Sequence, residues 1–297
     1  MKNLFFIILT CLCCACGSGK KTVQNIPLDD IISQKKKVQS EVVIRIKEEN
    51  KTEISVENID SIKSVKPAIE PVISNKTLKN NSEAFDHHLW NGLLSKYVSK
   101  NGLVYYKGFK QEYQVLKKYL DALSNHIPTD QWSETDTLAY WMNAYNAFTI
   151  KLILDNYPLK SIKDIKNPWD LRFIKIGHKW YTLNDIEHRI LRKMGDPRIH
   201  FGINCASFSC PPLLDKAFTS QNVHQELEQL TIAFINDSKR NTISSNSIQI
   251  SKIFTWFSKD FTKKGSLIQF LNTYSKTPIN PKAKKSFKKY NWSLNES

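Results

Sequence analysis

Between Ile7 and Ala84 the chain carries no Phe, Tyr or Trp, whereas all seven Trp residues lie at Trp90 or beyond. That partition limits what can fold. A stretch without large aromatics, rich in Lys, Glu, Asn, Ser and Ile and mixed in charge, buries too little apolar surface to offset the entropy of ordering it. Residues 17–82 are therefore expected to be a disordered polar tether, and residues 83–295 one globular domain large enough for its own core. Alternations such as Val42-Val43-Ile44-Arg45-Ile46 could add an edge strand, but the charge around them favours solvated chain.

The first residues have another character. Lys2 precedes an apolar run from Leu4 to Leu12, which is shorter than the roughly 20 residues a membrane-spanning helix needs and has the layout of an export signal. Ala15 directly before Cys16, with Gly17-Ser18-Gly19 after it, resembles the lipobox of bacterial lipoproteins. That resemblance implies a signal peptide over residues 1–16, with Cys16 as lipid acceptor and the bilayer as partner. The expected location is then the cell envelope, anchored by lipid to a membrane outside the cytoplasm, the outer membrane. An ordinary signal cleaved after Ala15, leaving a soluble protein, is the alternative.

The formal charge of +15 gathers partly at Lys276, Lys282, Lys284, Lys285, Lys288 and Lys289. On an exported protein this points to anionic lipid headgroups or acidic glycan as contacts and away from nucleic acid. A solvated basic surface is the simpler reading.

Within the aromatic-rich part, apolar spacing predicts helices over Phe85 to Lys100, Gln111 to Ser124 and Thr135 to Asn156. The third is apolar nearly all round and should be buried. It opens at Ser133-Glu134-Thr135-Asp136, which resembles a capping box, and stops at Tyr157-Pro158. Phe173 to Ile176 and Trp180 to Leu183 read as a hairpin about Gly177-His178. A helix from Asn184 to Met194, a strand from Ile199 to Asn204, a helix from Gln221 to Asp237 and a strand from Ile248 to Ser251 follow. Helices near Lys252 to Asp260 and Leu267 to Tyr274 complete the series. The fold class is α+β, a helix-rich single domain with a small, mostly antiparallel sheet. The nine glycines never take phosphate-loop spacing, and no cofactor is expected.

Several of these segments occur as an ordered set: Ala139-Tyr140-Trp141-Met142-Asn143-Ala144-Tyr145-Asn146, Leu183 to Arg192, Asp196 to Pro211, Trp256 to Phe261 and Tyr290 to Asn295. Together they resemble the signature of the bacterial Domain of Unknown Function 547 family, across essentially the whole folded part. The resemblance implies no particular reaction. It implies a fold related to the papain and transglutaminase group, in which a cysteine at a helix start works with a histidine on the sheet.

Beyond the leader only Cys205 and Cys210 remain, both in the run from His200 to Pro212. A thiol near an imidazole can be a nucleophile with its base, part of a metal site, or half of a disulfide. Cys205 is the candidate nucleophile, a disulfide to Cys210 is the rival, and an inert or metal-bound thiol stands behind both. His200 lies on the same expected strand, which would turn it to the opposite face from Cys205 unless the chain bends after Asn204. His188 competes as the base, with Glu187 beside it. Asn143 and Asn146 share a helix face and could orient an imidazole or tie buried backbone. Arg192 and Arg198 could clamp a substrate carboxylate or pair with Glu187 and Asp196. Trp256 and Asp260 are expected to pack on the core without chemistry. Zinc ligation by His200, Cys205 and Cys210 lacks the usual close cysteine pair, so no metal is expected. Two function classes remain open: a thiol-dependent hydrolase or acyl transferase on an extracytoplasmic amide or ester, and a binding or scaffold module with Cys205 and Cys210 locked as a disulfide.

Overall fold

The computed structural model describes residues 84–297. The leader, Cys16 and the expected tether lie outside the described residues.

The organising element is α4 (Glu134–Asp155), preceded by α1 (His88–Tyr97), α2 (Tyr106–Gln111) and α3 (Tyr113–Asn125). The Ser133 hydroxyl accepts the Asp136 amide as N-cap, and Glu134 and Asp136 complement the helix dipole. Residues from Leu138 to Leu154 are buried around nearly the whole circumference of α4, so the helix serves as the inner pillar of the domain. The others are amphipathic: α1 turns in Trp90, Leu93, Leu94 and Tyr97, and α3 turns in Leu116, Tyr119, Leu120 and Leu123.

After α4 come the antiparallel hairpin of β1 (Ile174–Ile176) and β2 (Lys179–Tyr181), then the single turn of α5 (Ile199–Gly202) and the longer α6 (Val223–Ile235). A second sheet follows in the order β3 (Thr242–Ile243), β4 (Ser247–Ile250), β5 (Lys284–Phe287), with β4 antiparallel to β3 and parallel to β5. Between β4 and β5 lie α7 (Ile253–Trp256), α8 (Ser258–Phe261) and α9 (Leu267–Tyr274). Helices dominate two small sheets, as expected of an α+β domain. Among the described residues no helix is long and apolar enough to cross a membrane.

Three expected elements differ. Residues 199–204 form α5 and a short extended exit rather than a strand. The alternation of Ile199, Phe201 and Ile203 misleads because every residue from Ile199 to Asn204 is buried, so periodicity has no solvent face to report. The local chemistry favours a turn: Asp196 Oδ1 accepts the Arg198 amide, and Pro197 supplies a helix-compatible φ. The segment 184–194 is not one α-helix. It winds as a π-turn over Asp185–Ile190 and tightens to a 3-10 turn over Leu191–Met194, ended by left-handed Gly195. The helix expected over 252–260 is broken at Phe257 into α7 and α8.

Two apolar clusters meet at α5. One gathers α1 to α4; the other is built on Phe201, Phe234, Phe254 and Phe261 with Leu271 from α9. Gly202 sits where they touch: an added Cβ would come within 2.4 Å of Met142 Cε and 2.8 Å of Leu227 Cδ2, so a larger residue there would force the Met142 and Leu227 side chains to shift. Phe201→Ala is expected to lower unfolding free energy by about 3–5 kcal/mol, through lost burial and the cavity left behind. Urea denaturation followed by circular dichroism checks it.

Candidate active site

The run from Ile203 to Pro211 crosses the domain without regular structure, so side chains must satisfy its buried backbone. From α4, Asn146 donates to Gly202 O at 3.0 Å and accepts the Asn204 amide at 2.9 Å. Asn204 then closes the loop on itself, its Nδ2 donating to Pro211 O at 2.7 Å and its Oδ1 accepting the Ala206 amide at 2.7 Å. Ala206 adopts φ 57°, an uncommon conformation for a residue with a Cβ, and one that the surrounding bonds hold in place. The far side of the loop pairs with residues 291–295: Phe208 N–H donates to Ser293 O and the Asn295 amide to Ala206 O.

This frame sets the Cys205 sulfur 2.7 Å from Cys210 Sγ, 3.2 Å from Ser207 Oγ and 3.5 Å from the Tyr290 hydroxyl. Both cysteines are unbonded thiols, Cys205 half-buried and Cys210 buried. The hydrogen bond from Cys210, with help from Ser207 and Tyr290, holds the Cys205 thiol below its ordinary pKa despite burial. Burial pushes Cys210 and Tyr290 up, so both stay protonated and donate. The structure thus lowers this thiol without the helix start expected of a papain relative, because a turn, not a helix, follows Cys205.

Next to the thiol pair is a line of charged groups. Glu187, brought inward by the π-turn, is buried, accepts from Tyr145 at 3.3 Å and has its pKa raised to about 7, mainly by burial and then by the charge of Cys205. Its Oε1 lies 3.7 Å from His200 Nδ1, a buried nitrogen with no hydrogen-bond partner. The other His200 nitrogen, Nε2, donates to Asp260 Oδ2 at 2.8 Å, and the ring stacks on Phe257 at 3.9 Å between centroids. Asp260 is held far below the usual carboxylate range by His200 and by Arg192, which grips it at 2.6 and 2.9 Å. Burial keeps His200 largely neutral. Arg192 also donates to His188 Nδ1 at 2.9 Å, which leaves the His188 proton on Nε2.

All these groups except Ser207, Arg192 and Asp260 border one cleft of about 470 Å3, walled by Trp169, Trp256, Tyr290 and Trp292. Trp256 lies tilted against Tyr290 at 4.7 Å between centroids and stacks on Trp292 at 5.6 Å. Another cavity of about 510 Å3, bordered by Arg198, His224, Lys263 and Tyr274, contains no thiol. Among the described residues, no group of three or more His, Cys, Asp or Glu side chains is arranged to hold a metal ion.

The structure therefore brings Cys205, Glu187, His188 and His200 to the same cleft, but no histidine nitrogen is among the hydrogen-bond partners of the Cys205 sulfur. Asn143 and Asn146 spend their amides on backbone, Asn143 exchanging two bonds with Phe218, so neither orients an imidazole. Arg198 is occupied by Asp196 and Glu228, Arg192 by Asp260 and not by Glu187, and neither borders the cleft. The Ala206 amide is taken by Asn204 and is not free to meet an oxyanion. Asp260 and Trp256, expected as core packing, are instead the carboxylate partner of His200 and a cleft wall left 45% exposed. Tyr290 and Ser207 are further residues that the sequence alone did not single out. Their signal was the position of Tyr290 in the closing motif and of Ser207 inside the cysteine run.

Residues 129–235 match the family model described as Protein of unknown function, DUF547. That stretch, and no more of the chain, is similar to the family. The matched segment takes in α4, Glu187, His200 and both thiols, and stops short of Asp260 and Tyr290. No curated protein and no solved structure matches the chain.

Asn146→Ala would leave the Gly202 carbonyl and the Asn204 amide buried without partners, at a cost on the order of 3 kcal/mol. Thermal unfolding of the variant beside wild type reads that loss.

Proposed function

We propose that this protein is a lipid-anchored thiol enzyme of the cell envelope, a hydrolase or acyl transferase acting on an amide or ester, with Cys205 as nucleophile. The observation that carries the reading is the half-buried Cys205 sulfur, which lies within hydrogen-bond distance of Cys210, Ser207 and Tyr290 in an aromatic-walled cleft that also holds a carboxyl group poised near neutrality.

In the reaction the Cys205 thiolate attacks the carbonyl carbon, forming a C–S bond as the carbonyl electrons move to oxygen. The Tyr290 hydroxyl, which borders the cleft 3.5 Å from the sulfur, is the donor that meets that oxyanion, and Ser207 donates to Tyr290 from behind at 3.1 Å. Collapse expels the amine or alkoxide, which takes the proton from Glu187, a carboxyl group still protonated in a useful fraction near pH 7. Water then attacks the thioester and returns its proton to Glu187, or an acceptor nucleophile takes the acyl group instead. His200 is a positioning residue in this scheme: fixed by Asp260, it presents Nδ1 to Glu187 and sets the field in which that proton moves.

Iodoacetamide labelling of the full chain without reductant is expected at Cys205, with a rate that rises with pH as thiolate accumulates. Its midpoint should fall below the ~8.5 of a free thiol. A midpoint at or above that value, or labelling only after reduction, ends the nucleophile assignment. With p-nitrophenyl acetate the reduced full chain should release a stoichiometric burst of nitrophenol. That burst should vanish in Cys205→Ser, while Glu187→Gln should retain labelling and lose turnover by roughly 10²–10⁴ fold. For the anchor, Cys16→Ser is expected to move the protein from the membrane pellet to the soluble fraction. Unchanged partitioning removes the lipid from the proposal.

A further inference from the structure

Acyl transfer uses one of the two thiols and leaves the other unexplained. Cys210 is buried, yet its sulfur lies 2.7 Å from that of Cys205, and the Cys205 amide donates to Cys210 Sγ at 3.0 Å. The loop between them is pinned from every side. Asn204 ties both of its ends, Arg240 donates to Cys210 O and to Phe208 O at 3.1 Å each, and Asp237 holds Arg240 in turn. Residues 207–209 pair with residues 291–294. The entropy of bringing the two sulfurs together has thus been spent in folding, and a bond between them forms from atoms already 2.7 Å apart.

We infer that Cys205 and Cys210 form a thiol–disulfide exchange couple, in which Cys205 attacks a disulfide entering the aromatic cleft and Cys210 resolves the product. This activity is distinct from acyl transfer and does not rest on it. In the first step the Cys205 thiolate attacks one sulfur of the incoming disulfide; a Cys205–S bond forms, the substrate S–S bond breaks, and one substrate thiolate leaves and is protonated. In the second, Cys210 gives up its proton to the departing group and attacks Cys205 Sγ. The mixed disulfide breaks, the second substrate thiol leaves, and the Cys205–Cys210 bond is made. Two protein thiols are oxidised and one disulfide is reduced to two thiols, so the electrons balance without another reagent. Access supports the division of labour: Cys205 is half-buried at the cleft and Cys210 lies behind it. The opposite pKa directions of the two thiols agree with an attacking and a resolving role. The Cys205 amide on Cys210 Sγ is placed to steady the thiolate that forms there.

The test mixes the reduced full chain with oxidised glutathione, quenches with N-ethylmaleimide and reads the peptide carrying both cysteines by mass spectrometry. Wild type is expected to yield an internal Cys205–Cys210 bond and two equivalents of reduced glutathione. Cys210→Ser should stop at a persistent glutathione adduct on Cys205, and Cys205→Ser should leave Cys210 unreacted. Should Cys210→Ser be poorly folded by circular dichroism, Cys210→Ala replaces it in the same trap. A wild-type protein that accumulates the mixed adduct without closing, or a folded Cys210 variant that takes up no glutathione, overturns the inference. Because no ester is present, the result is independent of the nitrophenyl burst, and either activity can fail while the other stands.

Discussion

Backbone that is buried outside helices and sheets must find hydrogen-bond partners or give up stability with each unpaired group. Between Gly202 and Pro211 side-chain amides meet that demand, Asn146 from the pillar helix and Asn204 within the loop, and the Asn295 side chain in turn donates to Asn204 Oδ1. Since α4 is buried on all sides, Asn146 refers the loop to the least movable part of the fold. The close thiol pair, the left-handed Ala206 and the position of Tyr290 all follow from that anchorage.

A second constraint is electrostatic. Arg192 and Asp260 form a charged clasp at one edge of the site, and the clasp fixes which His200 nitrogen donates. The remaining ring nitrogen therefore faces Glu187, and Glu187 in turn feels the Cys205 charge. A proton added to the carboxyl group and a proton removed from the thiol favour each other, which suits chemistry in which one group attacks while the other donates. The clasp itself uses partly exposed groups and is a matter of orientation more than of stability.

Much of the fold was legible from residue spacing. The all-apolar pattern from Leu138 to Ile153 marked α4 as buried, the Ser133 cap marked its start, and the hairpin about Gly177 followed from alternation around a turn. The errors cluster around the site and have physical causes. Period-two spacing at 199–203 reports a strand only if one face meets solvent, and here both faces meet core. The segment 184–194 had helical spacing, but a winding change that no periodicity reveals turns Glu187 inward. Cys205, Glu187, His188 and His200 were found from residue type alone. Asp260 was passed over, because its role depends on a separation of 60 residues from His200, which nothing local encodes.

The Cys205 loop leans on residues that come much later in the chain. Tyr290 reaches the Cys205 sulfur across 85 positions, and Asn295 meets Asn204 across 91. A growing chain therefore exposes Cys205 and Cys210 well before the segment that covers them exists. Only after residue 295 has emerged do the sulfurs acquire their full set of donors, so thiol reactivity is a late product of biosynthesis, withheld until the domain can close around it.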